Sequence, residues 1–87
     1  MTTWQRCGEV HWRRSGQRCI VRSPLNGEVV VLEGGGSVAW EVLAEPCEEQ
    51  ELFATISGLF EVEAEQVGVE LTPFLEELSR LGVLVRV

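Results

Sequence analysis

The chain contains no Lys and no Asp, so its charges come from seven Arg and fourteen Glu, a net charge of −7 over 87 residues. An acidic chain of this kind repels nucleic acid phosphates and anionic membranes, and it favours basic partners or simple solubility. The missing Lys also excludes a Walker-type phosphate loop at Gly34–Gly36, because that loop needs a Lys after its glycines. We therefore expect neither nucleic acid nor a membrane as a partner.

Long apolar runs are also absent. None approaches the roughly 20 residues that a membrane-spanning helix needs, and the start of the chain lacks the basic and then apolar segments of a secretory signal. We therefore expect a soluble, cytoplasmic protein. Its 87 residues are enough for one domain with a modest core, without room for a deep enclosed active site.

Metal and catalytic sites lack their usual components. The cysteines Cys7, Cys19 and Cys47 are odd in number and contain no Cys-x-x-Cys pair, which favours free thiols in a reducing compartment. A zinc site would need all three and His11 to meet by coincidence. His11 also has no nucleophile or carboxylate at a recognisable spacing. We predict a protein that is not an enzyme and that needs no metal or cofactor.

The most informative segment runs from Ser23 to Trp40. Asn26-Gly27 is typical of a two-residue hairpin turn, and the run of β-formers after it predicts a strand covered on both faces, Glu28–Leu32. Gly34–Gly36 then predicts a sharp hinge, with Ser37 as the N-cap of a helix. If this strand has a free edge, that edge can recruit another chain.

The remaining patterns predict an α+β domain, a three-stranded antiparallel sheet followed by three helices. We expect residues 1–9 to form a loosely ordered N-terminal extension, with Trp4 as a clamp over the core, and residues 10–87 to form one domain. The predicted strands are Val10–Arg14, Arg18–Arg22 and Glu28–Leu32. The predicted helices are Ser37–Ala44, Glu48–Phe60 and Glu63–Leu81.

Pro73 leaves two interpretations of the last helix. Because Pro lacks an N–H group, it suits the first position of a helix and disturbs the interior of one. The helix therefore starts at Pro73 behind Thr72, or it starts near Glu63 and bends at Pro73. Val83–Val85 predicts a short extended tail.

The order of these elements, with several short motifs, resembles the PqqD-like family, also called the RiPP recognition element. RiPPs are ribosomally synthesised peptides that are modified after translation. The motifs are Ser23-Pro24…Gly27-Glu28, Leu32 followed by glycines, Trp40-Glu41-Val42-Leu43, Glu51-Leu52, Phe74-Leu75-Glu76-Glu77-Leu78 and Leu81-Gly82-Val83-Leu84. The chain departs from the family at Glu33, where Asn is common, and at Glu70, where Asp is common.

The resemblance implies a winged-helix-like fold that binds the leader of a precursor peptide. The leader is expected to add as a strand to the third strand, in a groove against the third helix, and to be presented to a separate tailoring enzyme or protease. The implied peptide-binding residues are Glu28, Val29, Val30, Val31, Leu32, Val67, Leu71, Phe74, Leu75 and Leu78. Apolar residues at such spacings are also typical of a core, so each of them has a purely structural interpretation.

The hairpin carries a cluster of cations that permits several interpretations. Trp12, Arg13, Arg14 and Arg18 form a candidate face for docking the partner enzyme, since Arg and Trp are favoured at interface hot spots; a solvated hairpin is the simpler explanation. An alternative interpretation places these arginines and Arg22 on the wing of a DNA-binding winged helix. Such a domain needs a basic recognition helix, and this chain lacks one. The sequence is also compatible with a protein–protein adaptor, and with a homodimer paired through the free strand edge.

Overall fold

The computed structural model describes all 87 residues, which form two three-stranded antiparallel sheets and three helices. One sheet, here the hairpin sheet, has the strand order β2–β3–β4, and the other, here the terminal sheet, has the order β5–β1–β6. The strands are β1 (Thr3–Arg6), β2 (His11–Ser15), β3 (Arg18–Arg22), β4 (Val29–Leu32), β5 (Cys47–Glu48) and β6 (Leu84–Arg86). The helices are α1 (Gly34–Val42), α2 (Glu49–Phe60) and α3 (Ala64–Arg80).

The terminal sheet corrects the prediction of a loosely ordered start. β1 is the middle strand of that sheet, paired on one side with β5 and on the other with β6. Trp4 is fully buried, and its indole Nε1 donates to Glu49 Oε1 at 3.0 Å. A large apolar ring in the core and two strand partners hold residues 3–6 in place, because both would be lost if the segment detached. The predicted extended tail is β6.

The predicted α+β class, with antiparallel strands and three helices, is confirmed, while the single sheet is corrected to two. The three predicted strands appear as β2, β3 and β4, each within one residue of its expected bounds. The winged-helix likeness stays a prediction.

β4 is a one-sided strand, so the prediction that it is covered on both faces is wrong. The side chains of Val29 and Val31 are 50% and 51% exposed, whereas Leu32 is buried and Val30 is partly buried. A continuous apolar run cannot show which face a neighbouring element covers. The helices cover only the face that carries Val30 and Leu32.

The connection from β3 to β4 is longer than the expected two-residue turn, spanning residues 23–28. Ser23 organises it: its hydroxyl donates to the Leu81 carbonyl at 2.6 Å and accepts from the Leu25 N–H at 3.1 Å. Gly27 has a φ of +76°, the left-handed geometry expected of an Asn-Gly pair. This connection therefore joins the hairpin sheet to the C-terminal end of α3.

Helix α1 begins three residues before the predicted Ser37, with Glu33 in the N-cap position. Ser37 lies inside the helix, where it is buried and its Oγ is 3.4 Å from Cys19 Sγ. The glycines, expected as a hinge, therefore form the first turn of the helix. Ser37 can lie inside the helix because its buried hydroxyl has a hydrogen-bond partner in the core, the Cys19 thiol.

Helices α2 and α3 lie within a residue of their predicted bounds, and Pro73 is inside α3. Of the two interpretations, the start near Glu63 is therefore correct, while the bend at Pro73 stays a prediction. Pro73 cannot donate to the carbonyl of Val69, four residues earlier. Val69 is largely exposed, so water can solvate that carbonyl group. None of the three helices has the length and hydropathy that a membrane crossing requires.

Candidate functional site

One edge of the hairpin sheet is open along β4, which pairs only with β3. The Ser23 N–H donates to the Glu28 carbonyl at 2.8 Å, so these opposed residues form a hydrogen-bonded pair. Such pairs alternate along an antiparallel ladder. Val30 and Leu32 therefore bond to β3, while the N–H and C=O groups of Val29 and Val31 point to the open edge.

A groove of about 510 Å³ lies at the C-terminal end of β4, between that strand and α3. Eight of its twelve lining residues are hydrophobic. The lining residues are Val31, Leu32, Glu33, Gly35, Gly36, Ile56, Phe60, Val62, Val67, Glu70, Leu71 and Phe74. An open backbone edge and an apolar groove thus meet on one side of the molecule.

Helix α3 supplies one wall because its apolar residues recur at helical spacing. Val67, Leu71 and Phe74 follow one another at intervals of four and three residues, which places them on one face of the helix. Across the groove, α1 approaches so closely that a Cβ atom at Gly36 would lie 3.1 Å from the Phe74 ring. Because glycine has no Cβ, α1 and α3 pack closely here without a side chain from position 36 pressing on the Phe74 ring that lines the groove.

The sequence predicted ten peptide-binding residues, and the structure brings five of them into the groove. These are Val31, Leu32, Val67, Leu71 and Phe74. Glu28, Val29 and Val30 lie on β4 or just before it, outside the groove. Leu75 and Leu78 are fully buried in the core. Their position matches the purely structural interpretation of apolar residues at helical spacing.

Sequence reasoning missed the wall formed by the end of α2. Ile56 and Phe60 are separated by one helical turn, and Val62 follows in the loop. The Val62 N–H donates to the Ser57 carbonyl at 3.3 Å, and the Ser57 hydroxyl donates to the Val62 carbonyl. The signal in the sequence was Val62, an apolar residue that follows the last turn of α2 and stays partly exposed.

The surroundings of the groove are acidic. Residues 23–79 contain thirteen of the fourteen Glu and no Arg. Two of these carboxylates, Glu33 and Glu70, line the groove itself, and Glu33 pairs with Arg18 at 2.9 Å. The helices have a single cation, Arg80, whose hydrogen bond to Glu77 lowers the pKa of that carboxyl group. No helix here is a basic recognition helix for DNA.

The family model of coenzyme PQQ synthesis protein D (PqqD) matches residues 18–84. The chain belongs to the PqqD family. This confirms the family that its motifs indicated, and the family is one of non-catalytic, peptide-binding accessory proteins of PQQ synthesis that work with a modifying enzyme. No curated protein and no solved structure matches the chain significantly.

The PqqD match covers β3, β4 and all three helices, and thus every residue that lines the groove. It starts after β1 and β2, which carry Arg6, Arg13 and Arg14. The expected division between residues 1–9 and 10–87 stays a prediction.

The four residues predicted to dock a partner enzyme do not share one face in this PqqD-family chain. Trp12 and Arg14 point towards α1: the Trp12 ring meets the Trp40 ring edge-on at 5.7 Å, and Arg14 pairs with Glu41. Arg13 alternates to the opposite face of β2. Arg18 is held by Glu33.

Arg6 completes the contact between the two sheets. Its guanidinium lies 4.6 Å from the Trp12 ring centroid and 4.3 Å from that of Trp40, and it donates to the Trp40 carbonyl. Burial lowers the pKa of Arg6, while the charge of Glu41 opposes that shift. These contacts attach β1 to the hairpin sheet by cation–π attraction as well as packing.

The cysteines are all free. Cys19 is buried against Ser37, and burial raises the pKa of the partly exposed Cys47 thiol. No three residues of the metal-binding types come together in a way that would hold an ion.

Proposed function

We propose that this chain binds the leader segment of a ribosomally synthesised precursor peptide and presents it to a separate modifying enzyme in the cytoplasm. The leader adds as an antiparallel strand to β4. The observation that carries the proposal is the meeting of an unpaired strand edge with an apolar groove walled by α3. It extends the peptide-binding role of the PqqD family to a particular edge and groove.

In strand addition, backbone hydrogen bonds and side-chain contacts have different roles. The guest backbone pairs with the outward N–H and C=O groups of Val29 and Val31, which fixes its direction and register. Every second guest side chain then points to the face that carries Leu32 and enters the groove. Burying one large apolar side chain contributes about 1.5–3 kcal/mol, so one or two anchors supply most of the affinity.

The experiment compares two neighbouring residues at the end of α2. Phe60 lines the groove and is 45% exposed, whereas Leu59 is 64% exposed and lies outside the groove. Phe60→Glu and Leu59→Glu both add one negative charge near the same helix end, so their effects on net charge and helix dipole match. Both are safer than Leu75→Arg or Leu78→Glu, which would place a charge in the core.

The readout is isothermal titration with the leader of any precursor peptide whose gene is found beside the gene of this chain. Phe60→Glu should weaken binding at least about tenfold, since a charge against an apolar guest costs more than about 1.4 kcal/mol. Leu59→Glu should bind as the unchanged protein does. Equal affinities for the two folded variants would place the site elsewhere. If the free chain dimerises and the leader dissociates the dimer, a second copy of the chain competes with the leader for the edge.

A further inference from the structure

The outer face of the hairpin sheet is the side that the helices leave uncovered. Register and alternation place three rows of side chains on it. His11, Arg22 and Val29 form one row, Arg13, Ile20 and Val31 form the next, and Ser15 and Arg18 form the third. A shallow cavity of about 400 Å³ lies on this face, lined by five of its residues, His11, Arg13, Ile20, Arg22 and Val29, and also by Trp12, whose ring points towards α1.

Two cations on this face have no acidic partner. Four of the seven Arg form ion pairs with Glu, which are Arg14–Glu41, Arg18–Glu33, Arg80–Glu77 and Arg86–Glu76. A fifth, Arg6, is enclosed between two Trp rings. The two that remain, Arg13 and Arg22, are exposed diagonal neighbours on adjacent strands. In a chain with twice as many Glu as Arg, unpaired cations on one face leave it complementary to an acidic surface.

The same face exposes apolar area beside the open edge. Val29 and Val31 are half exposed there; Val29 lies directly beside Arg22, and Ile20 lies between Val31 and Arg13. A mixture of Arg and apolar side chains is typical of protein interfaces. Nucleic acid is a poor fit, because two unpaired cations neutralise few phosphates in a chain of net charge −7.

We propose that this outer face docks an acidic surface of the modifying enzyme, an inference that rests on the proposed leader binding. The geometry connects the two events. Val29 and Val31 present their side chains to the outer face and their backbone groups to the guest strand. An enzyme seated on the outer face therefore lies directly beside the bound leader, in position to receive the rest of the precursor.

The test is a pair of double charge reversals. Arg13→Glu with Arg22→Glu changes the outer face, and Arg80→Glu with Arg86→Glu makes the same change in net charge at the end of α3 and in β6. The probe is the purified product of any tailoring-enzyme gene found beside the gene of this chain. The outer-face variant should lose at least about tenfold in affinity, because reversal removes two attractions and adds two repulsions. The control should lose less than about twofold.

Leader titration on the same variants separates the two proposals. Both variants should bind the leader unchanged; failure of the unchanged protein to bind any leader would overturn the proposed function. With leader binding intact, three results would overturn the docking face: no enzyme binding by the unchanged protein, no loss in the outer-face variant, or an equal loss in both variants. A short DNA duplex or an anionic vesicle that binds the face when the enzyme does not would also overturn it.

Discussion

The three consecutive glycines at the start of α1 should respond to alanine in three different ways. Gly34 has a φ of +55°, a left-handed geometry that costs an L-residue about 1–2 kcal/mol. A Cβ at Gly35 would meet nothing within 4 Å, whereas one at Gly36 would lie 3.1 Å from the Phe74 ring. Gly34→Ala should therefore destabilise the fold, and Gly35→Ala should stabilise it by about 0.5–1 kcal/mol through the lower entropy of the unfolded chain.

Gly36→Ala should fall between these two. It gains the same entropy term, but the Phe74 ring must move by a few tenths of an ångström to accept the methyl group. Urea unfolding measures all three, with an unchanged m-value as the sign that only stability has altered. The Gly34 and Gly35 variants should differ by about 2 kcal/mol, or roughly 10 °C in melting temperature. Equal stabilities would refute the helix start and the close approach of α1 to α3 on which the groove depends.

Three further predictions concern single sites. Ser23→Ala should lower the free energy of unfolding by about 1–3 kcal/mol in urea, because the buried Leu81 carbonyl loses its donor; a change below about 0.5 kcal/mol would contradict this role. Pro73→Ala should raise it by at least about 1 kcal/mol, since α3 regains a donor to the Val69 carbonyl, and a destabilised variant would show that the Pro is required. Cys47 should react with iodoacetamide more slowly in the folded chain than in urea at about pH 8–9, because burial and neighbouring Glu charges raise its pKa; mass spectrometry measures this, and equal rates would refute it. The same shift makes stability fall as pH rises above the ordinary thiol pKa of about 8.5.

Local patterns predicted the helices and the hairpin well. Apolar residues in α2 and α3 recur at helical spacing over several turns, so one face of each helix was evident. The terminal sheet was not predictable in this way. β1 has four residues and β5 has two, and the contact of Trp4 with Glu49 spans 45 positions. Strands this short carry little periodicity, and their pairing depends on the folded core.

The groove was only partly predictable for a related reason. Periodicity identified the apolar stripe of α3, but one stripe is wide enough to serve both the core and a groove. Phe74 and Leu75 are adjacent in sequence, yet Phe74 lines the groove and Leu75 is fully buried. The difference is set by which neighbours cover each side chain. α1 approaches Phe74 through Gly36, and no sequence pattern reports that contact.

Amide hydrogen exchange on β4, with and without the leader, tests strand addition most directly. In the free chain the amides of Val29 and Val31 should exchange rapidly, while those of Val30 and Leu32 should already be protected by β3. On adding the leader, Val29 and Val31 should become protected, and the outward amides of Trp12 and Arg14 on the opposite edge should not change. Leader binding that leaves Val29 and Val31 unprotected, or that protects the β2 edge instead, would contradict the account.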